Sequence, residues 1–160
     1  MRKATVAAVG TLGLLIAIGL SAYAVAAAPT GMTTHAFTGT VLGDVIRSNG
    51  TAFENAYKIT SSADRTGAGW NEGSNSSTTL PLTGRTTGDN YFADGVNPIR
   101  TTYTIGAANA NGVAVLTGSG ECIAGGTRVF EHQKCKFTET GTYNVNTGIF
   151  EVKLAGTYTG

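Results

Sequence analysis

Charge is scarce in this chain: Asp, Glu, Lys and Arg make up 13% of its 160 residues, about half the usual share of roughly 25%. That scarcity excludes a polyelectrolyte tail and a coiled coil. It also excludes a nucleic-acid binder that depends on many phosphate contacts. The 11 basic and 10 acidic residues leave a net charge of +1, too small to steer a partner. Helical periodicity is missing as well, since no 3.6-residue apolar repeat is sustained beyond Thr33. Only two cysteines and two histidines are present, so a zinc site lacks the second ligand pair it needs. No metal and no cofactor are expected. A GxSxG elbow and a P-loop lysine are absent, and Gly118-Ser119-Gly120 and Gly125-Gly126 supply neither. His35 and His132 read as surface residues. The carboxylates Asp44, Asp64, Glu72, Asp89 and Asp94 read as loop or strand-end residues, most of them with turn chemistry, so no catalytic residue is assigned.

The N-terminus carries the pattern of an export signal. Arg2 and Lys3 precede an uncharged run from Ala4 to Leu20, followed by small-x-small frames through Ala22-Tyr23-Ala24-Val25-Ala26-Ala27-Ala28. We read residues 1–28 as a signal peptide cut between Ala24 and Ala28, and 29–160 as a single domain. An uncleaved anchor is the competing reading of the same run. Loss of Arg2 and Lys3 leaves nine basic residues against ten acidic, about −1. The expected location is secreted or cell envelope, with no stable membrane span after cleavage. Thiols pair in that compartment, so Cys122 and Cys135 are expected to form a disulfide closing a loop of about 14 residues.

What the rest of the chain does contain is a strand grammar. Lys134–Tyr143 places Cys135, Phe137, Gly141 and Tyr143 on one face, with Glu139 the lone charged residue among them. After Asn144–Gly148, Phe150, Val152, Leu154, Gly156 and Tyr158 form a second inward row. Arg100–Ala107 and Val113–Cys122 make another pair, reversing at Asn111-Gly112. Ala52–Thr60 alternates Phe53, Asn55, Tyr57 and Ile59 with polar or small residues, and His35–Leu42 carries Phe37 and Val41 on one side. Thr78–Thr83 and Asn90–Ala93 are weaker candidates, and Ser61–Ser77 reads as a long polar connection containing Trp70. Six to eight strands result. The fold expected is all-β, an antiparallel β-barrel of about eight strands, with a β-sandwich as the alternative. Glycines recurring inside strands, as at Gly39, Gly84, Gly118, Gly141 and Gly156, favour the tight coiling of a small closed barrel.

The run Gly118-Ser119-Gly120-Glu121-Cys122-Ile123-Ala124-Gly125-Gly126-Thr127-Arg128-Val129-Phe130, continued by Thr140-Gly141-Thr142-Tyr143, resembles the cadence of the allene-oxide-cyclase-like and dirigent-like barrels. With its exported start the chain is similar to small secreted actinobacterial proteins of that barrel type. The resemblance implies an eight-stranded barrel with an apolar cavity, in a group that guides or catalyses cyclisation or binds small hydrophobic molecules. Arg128 stands where the cadence has Gly, and a Cys135 region is inserted before Thr140. No catalytic residue carries over.

Three functions therefore follow as expectations: a non-catalytic barrel holding a small hydrophobic ligand, a cell-surface or envelope interaction module, and a cyclase or isomerase. Tyr57, Trp70, Tyr103 and Glu139 are the candidate ligand-binding residues. Partners are a small apolar ligand or a cell-surface molecule, with no nucleic acid. For the cyclase reading, Glu139 matters most, because burial among apolar neighbours raises a carboxyl pKa.

Overall fold

The computed structural model describes residues 33–62 and 65–159; the expected signal peptide and its cleavage region lie outside the described residues. Eight strands run in chain order: β1 Thr34–Asn49, β2 Ala52–Ser61, β3 Thr66–Asn75, β4 Leu82–Phe92, β5 Gly95–Ile105, β6 Val113–Cys122, β7 Lys134–Asn144 and β8 Ile149–Thr159. Each pairs antiparallel with the next, and β8 returns to β1 from Thr34↔Thr159 to Asp44↔Ile149. The sheet is a closed barrel, which decides against the sandwich. Closure leaves no edge strand to be covered. The seam is carried by β1, whose 16 residues pair with β8 through Asp44 and with β2 from Gly39 onward. A bulge between Val45 and Arg47 bends it where the β8 pairing stops.

The apolar rows point inward. Val41, Tyr57, Ile59, Leu116, Phe137, Val152 and Leu154 are buried, while the mid-strand charges Lys58, Glu151 and Lys153 are exposed. The arrangement in which apolar rows face lipid and charges line a lumen is thus not the one found.

Two expectations are corrected. Ser61–Ser77 is not a connection, because residues 66–75 form β3, paired on both sides. Its inward positions are Gly67, Gly69, Asn71, Gly73 and Asn75, so small and polar residues stand where strand patterning looks for apolar ones. Likewise Thr78–Thr83 and Asn90–Ala93 are not separate strands; the single β4 spans Leu82–Phe92, with Gly84, Thr86, Gly88 and Asn90 alternating against outward Thr83, Arg85, Thr87 and Asp89. Asn111-Gly112 reverses the chain as expected, with Gly112 at φ 77°.

The inward glycines make room for large neighbours on adjacent strands. A Cβ at Gly69 would land on the Tyr57 ring, at Gly84 on the Tyr103 ring, at Gly120 on the Phe137 ring and at Gly118 on the Glu139 carboxylate. Each of these pairs is also a direct cross-strand pair. The small strand residues are therefore the counterpart of the large ones, which lie across them instead of filling the barrel axis.

The β6–β7 loop folds back to cover one end. Cys122 and Cys135 are bonded at its base, and a short 3-10 turn at Arg128–Phe130 carries Phe130, 4% exposed, against Phe92. The Arg65 guanidinium lies 5.1 Å from the Phe130 ring centre and pairs with Asp94 at 3.2 Å. Thr127 is pinned to Val96 by two hydrogen bonds, its N–H donating to the Val96 carbonyl and its Oγ1 accepting from the Val96 N–H, both at 3.0 Å. Arg128 itself sits at φ 55°, a left-handed conformation that glycine adopts more readily.

Candidate functional site

An eight-stranded barrel has an interior just wide enough to be filled by side chains or to hold one small ligand. Here the side chains do not fill it. A cavity of about 390 Å³ runs inside the barrel, within the roughly 300–1,000 Å³ of small-molecule sites. Because the large inward residues lean over glycines, the axis stays open, and among the described residues no large side chain is completely enclosed.

The cavity wall has two halves of different chemistry. On β6, β7, β8 and β1 it is apolar apart from Glu139 and the tyrosines: Leu116, Phe137, Val152, Leu154, Val41 and Phe37. Strands β2 to β4 stand across the ring from β6 to β8 and contribute Asn55, Tyr57, Asn71, Thr86 and Asn90. The Tyr57 hydroxyl donates to Asn90 Oδ1 at 2.8 Å, the Tyr103 hydroxyl to Asn75 Oδ1 at 2.6 Å, and the Thr86 and Thr101 hydroxyls lie 2.8 Å apart. Burial raises the pKa of both Tyr57 and Tyr103, with the Glu139 charge adding to it. Both therefore stay neutral donors. Asn75 begins a glycosylation sequon with Ser76-Ser77, but its side chain is engaged inside the barrel, whereas Asn49 of the other sequon is exposed.

Glu139 sits on β7 between Gly118 of β6 and Leu154 of β8. No hydrogen bond or ion pair to its carboxylate occurs among the described residues. Burial pushes its pKa from 4.5 up to about 7, so near neutrality it can hold a proton or release one. The folded chain binds that proton more tightly than the unfolded chain does. Stability is then greatest below about pH 4.5, falls as pH rises to about 7, and is flat above. Replacing the carboxylate removes the penalty. After discounting for partial solvent screening, Glu139→Gln is expected to gain about 2 kcal/mol at about pH 8 and nothing at about pH 4. Urea midpoints at the two pH values check this, and equal midpoint shifts at both would contradict a buried Glu139.

Of the four candidate residues, Tyr57, Tyr103 and Glu139 line this same cavity. Trp70 does not join them. It lies on the outward side of β3, 40% exposed, near Tyr91 on β4, itself 48% exposed. Period-two alternation fixes this, since Asn71 on the same strand points inward. Sequence reading set Asn55 in the row of Phe53, Tyr57 and Ile59 but missed Asn71, Asn75, Asn90, Thr86 and Thr101 as cavity residues. Asn reads as a turn former, and for Asn71, Asn75, Thr86 and Asn90 the signal that could have found them is their two-residue spacing with inward glycines on β3 and β4. His35 is exposed and stacks on Tyr158, and His132 is exposed in the β6–β7 loop. Among the described residues no group of three or more His, Cys, Asp or Glu is placed to hold a metal ion. Set beside known proteins, the chain with this two-sided cavity matches no family model, no curated protein and no solved structure.

Proposed function

We propose that this chain is an exported barrel that binds a small hydrophobic molecule in its interior without chemistry on it. The observation that carries the reading is the unfilled cavity, with an apolar wall of aromatic and aliphatic side chains and a few inward polar groups. The signal-peptide pattern supports a secreted or envelope location, and the Cys122–Cys135 bond fits an oxidising compartment.

The test uses a neutral fluorescent probe, N-phenyl-naphthylamine, whose emission rises in apolar surroundings. Binding is expected in the micromolar range, about −8 kcal/mol. Leu154→Trp, which projects a larger ring into the cavity, should weaken it at least about tenfold. Trp70→Phe should leave it unchanged, because Trp70 faces outward. An unresponsive probe, or a Leu154→Trp variant that binds as well as the parent, would defeat the reading.

An envelope interaction module is the second reading. Its specific support is the pair Trp70 and Tyr91, exposed together on the outer face of β3 and β4, since exposed aromatic residues are common contact anchors. Silence of the probe together with loss of cell-wall association in Trp70→Ser would favour it.

A further inference from the structure

Four carboxamides on the polar side of the cavity share one orientation. Asn90 Oδ1 accepts from the Tyr57 hydroxyl and Asn75 Oδ1 from the Tyr103 hydroxyl. Asn55 and Asn71, direct cross-strand partners on β2 and β3, turn their Oδ1 atoms into the wall, where both are enclosed. All four side chains line the cavity. With each oxygen either bonded or covered, the group left to these residues is the amide N–H.

Asn71 already uses its amide. Burial raises the Tyr57 pKa, and a hydrogen bond from Asn71 to that hydroxyl acts against the rise. Tyr57 thus accepts from Asn71 while donating to Asn90, which ties β2, β3 and β4 into one polar patch. Asn55, beside Asn71, is different: among the described residues its side chain makes no hydrogen bond at all, and its Nδ2, unlike its Oδ1, is not enclosed. It is nevertheless only 8% exposed. A donor on the wall of a cavity finds its acceptor in whatever occupies that cavity, and leaving it without one is costly.

The charges nearby decide which kind of acceptor fits. Among the described residues that line the cavity, only Arg65 and Glu139 are charged. Arg65 is committed to Asp94 and to the Phe130 ring at the covered end. Glu139 has no cation beside it, and its charge raises the pKa of Tyr57 and Tyr103. An anionic ligand would therefore find no free cation and would be repelled by Glu139. An uncharged acceptor avoids both penalties.

Resting on the cavity reading, we infer that the ligand is an uncharged carbonyl compound, a ketone, ester or lactone on an apolar body, whose oxygen accepts from Asn55 Nδ2 while its hydrocarbon lies against β8 and β1. A pure hydrocarbon leaves the amide unanswered. A carboxylic acid would bring a second negative charge into the space that holds Glu139.

Two probes of nearly the same shape isolate the carbonyl: 2-acetylnaphthalene, which accepts a hydrogen bond, and 2-isopropenylnaphthalene, which does not. Calorimetric titration of the folded chain is expected to show the ketone about fivefold tighter, the scale of one net hydrogen bond. Asn55→Leu removes the donor without breaking a hydrogen bond of the protein, so the ratio should fall to one or below while the hydrocarbon still binds. If the parent chain binds both probes equally, or the folded Leu variant keeps the preference, the carbonyl inference is overturned and the cavity reading survives. Tighter binding of 2-(aminomethyl)naphthalene than of the ketone would overturn it as well, by showing that Glu139 sets the ligand class. If none of the three binds, the cavity reading falls too. Should Asn55→Leu not fold, the side-chain amide resonances of Asn55 in the parent chain decide: the ketone must shift them more than the hydrocarbon does, and equal shifts overturn the inference.

Discussion

Gly141→Val is expected to cost about 3 kcal/mol or more, read as a lower urea midpoint, or to prevent folding. A Cβ at Gly141 would strike the Glu151 carbonyl and come 2.6 Å from Val152 Cα. Both are backbone atoms of β8, and no rotamer change can remove them. Relief requires β7 and β8 to part at Gly141↔Val152, well inside their pairing. Gly84→Ala makes the informative contrast. There the nearest atoms all belong to the Tyr103 side chain, which can swing into the open cavity at the expense of its hydrogen bond to Asn75. About 1 kcal/mol is expected for that loss. If the two variants were equally destabilised, the distinction between glycines that admit a side chain and glycines that admit a strand would be wrong.

Removing the disulfide is expected to have the next largest effect. Cys122 and Cys135 are 13 residues apart in sequence, and the loop-entropy model gives roughly 3 kcal/mol for a closed loop of that size. Their positions add a local consequence. Between them lies the segment that holds Thr127 on Val96 and Phe130 against Phe92, so the reduced chain gains freedom where the barrel end is covered. A Cys122→Ala/Cys135→Ala variant should melt several degrees lower, and backbone amides at residues 123–133 should exchange faster than those of β1 or β8. An unchanged melting temperature would mean that the loop is held by Phe130 and Thr127 alone.

The parts of the fold that were legible are those whose inward rows are apolar. Strands β2, β7 and β8 announce themselves through Phe53, Tyr57 and Ile59, through Cys135, Phe137 and Tyr143, and through Phe150, Val152 and Leu154. Glu139 was legible for the same reason, as the one charge in an apolar row, and the structure buries it. Strand β3 was not, because hydrophobic alternation assumes a hydrocarbon interior, whereas this half of the barrel faces a cavity edged with amides and hydroxyls. There the rule that separates inside from outside is inverted: Asn71 is inside and Trp70 outside. The largest aromatic residue of the chain is thus the least informative about the core. Part of the candidate site was invisible for the reason that makes it a site, since its residues are too polar to be there for packing alone.

The seam between β1 and β8 has a consequence for assembly. Thr34 is paired with Thr159, so the ring joins the first strand to the last and cannot close until β8 has been made. Until then both strands keep a ladder of unanswered amides and carbonyls, the most adhesive state such a sheet passes through. The same adjacency places the two ends of the domain side by side. A rearranged gene that links them and opens the chain at Asn111-Gly112 instead would preserve every strand pairing while moving that vulnerable interval to a different pair of neighbours.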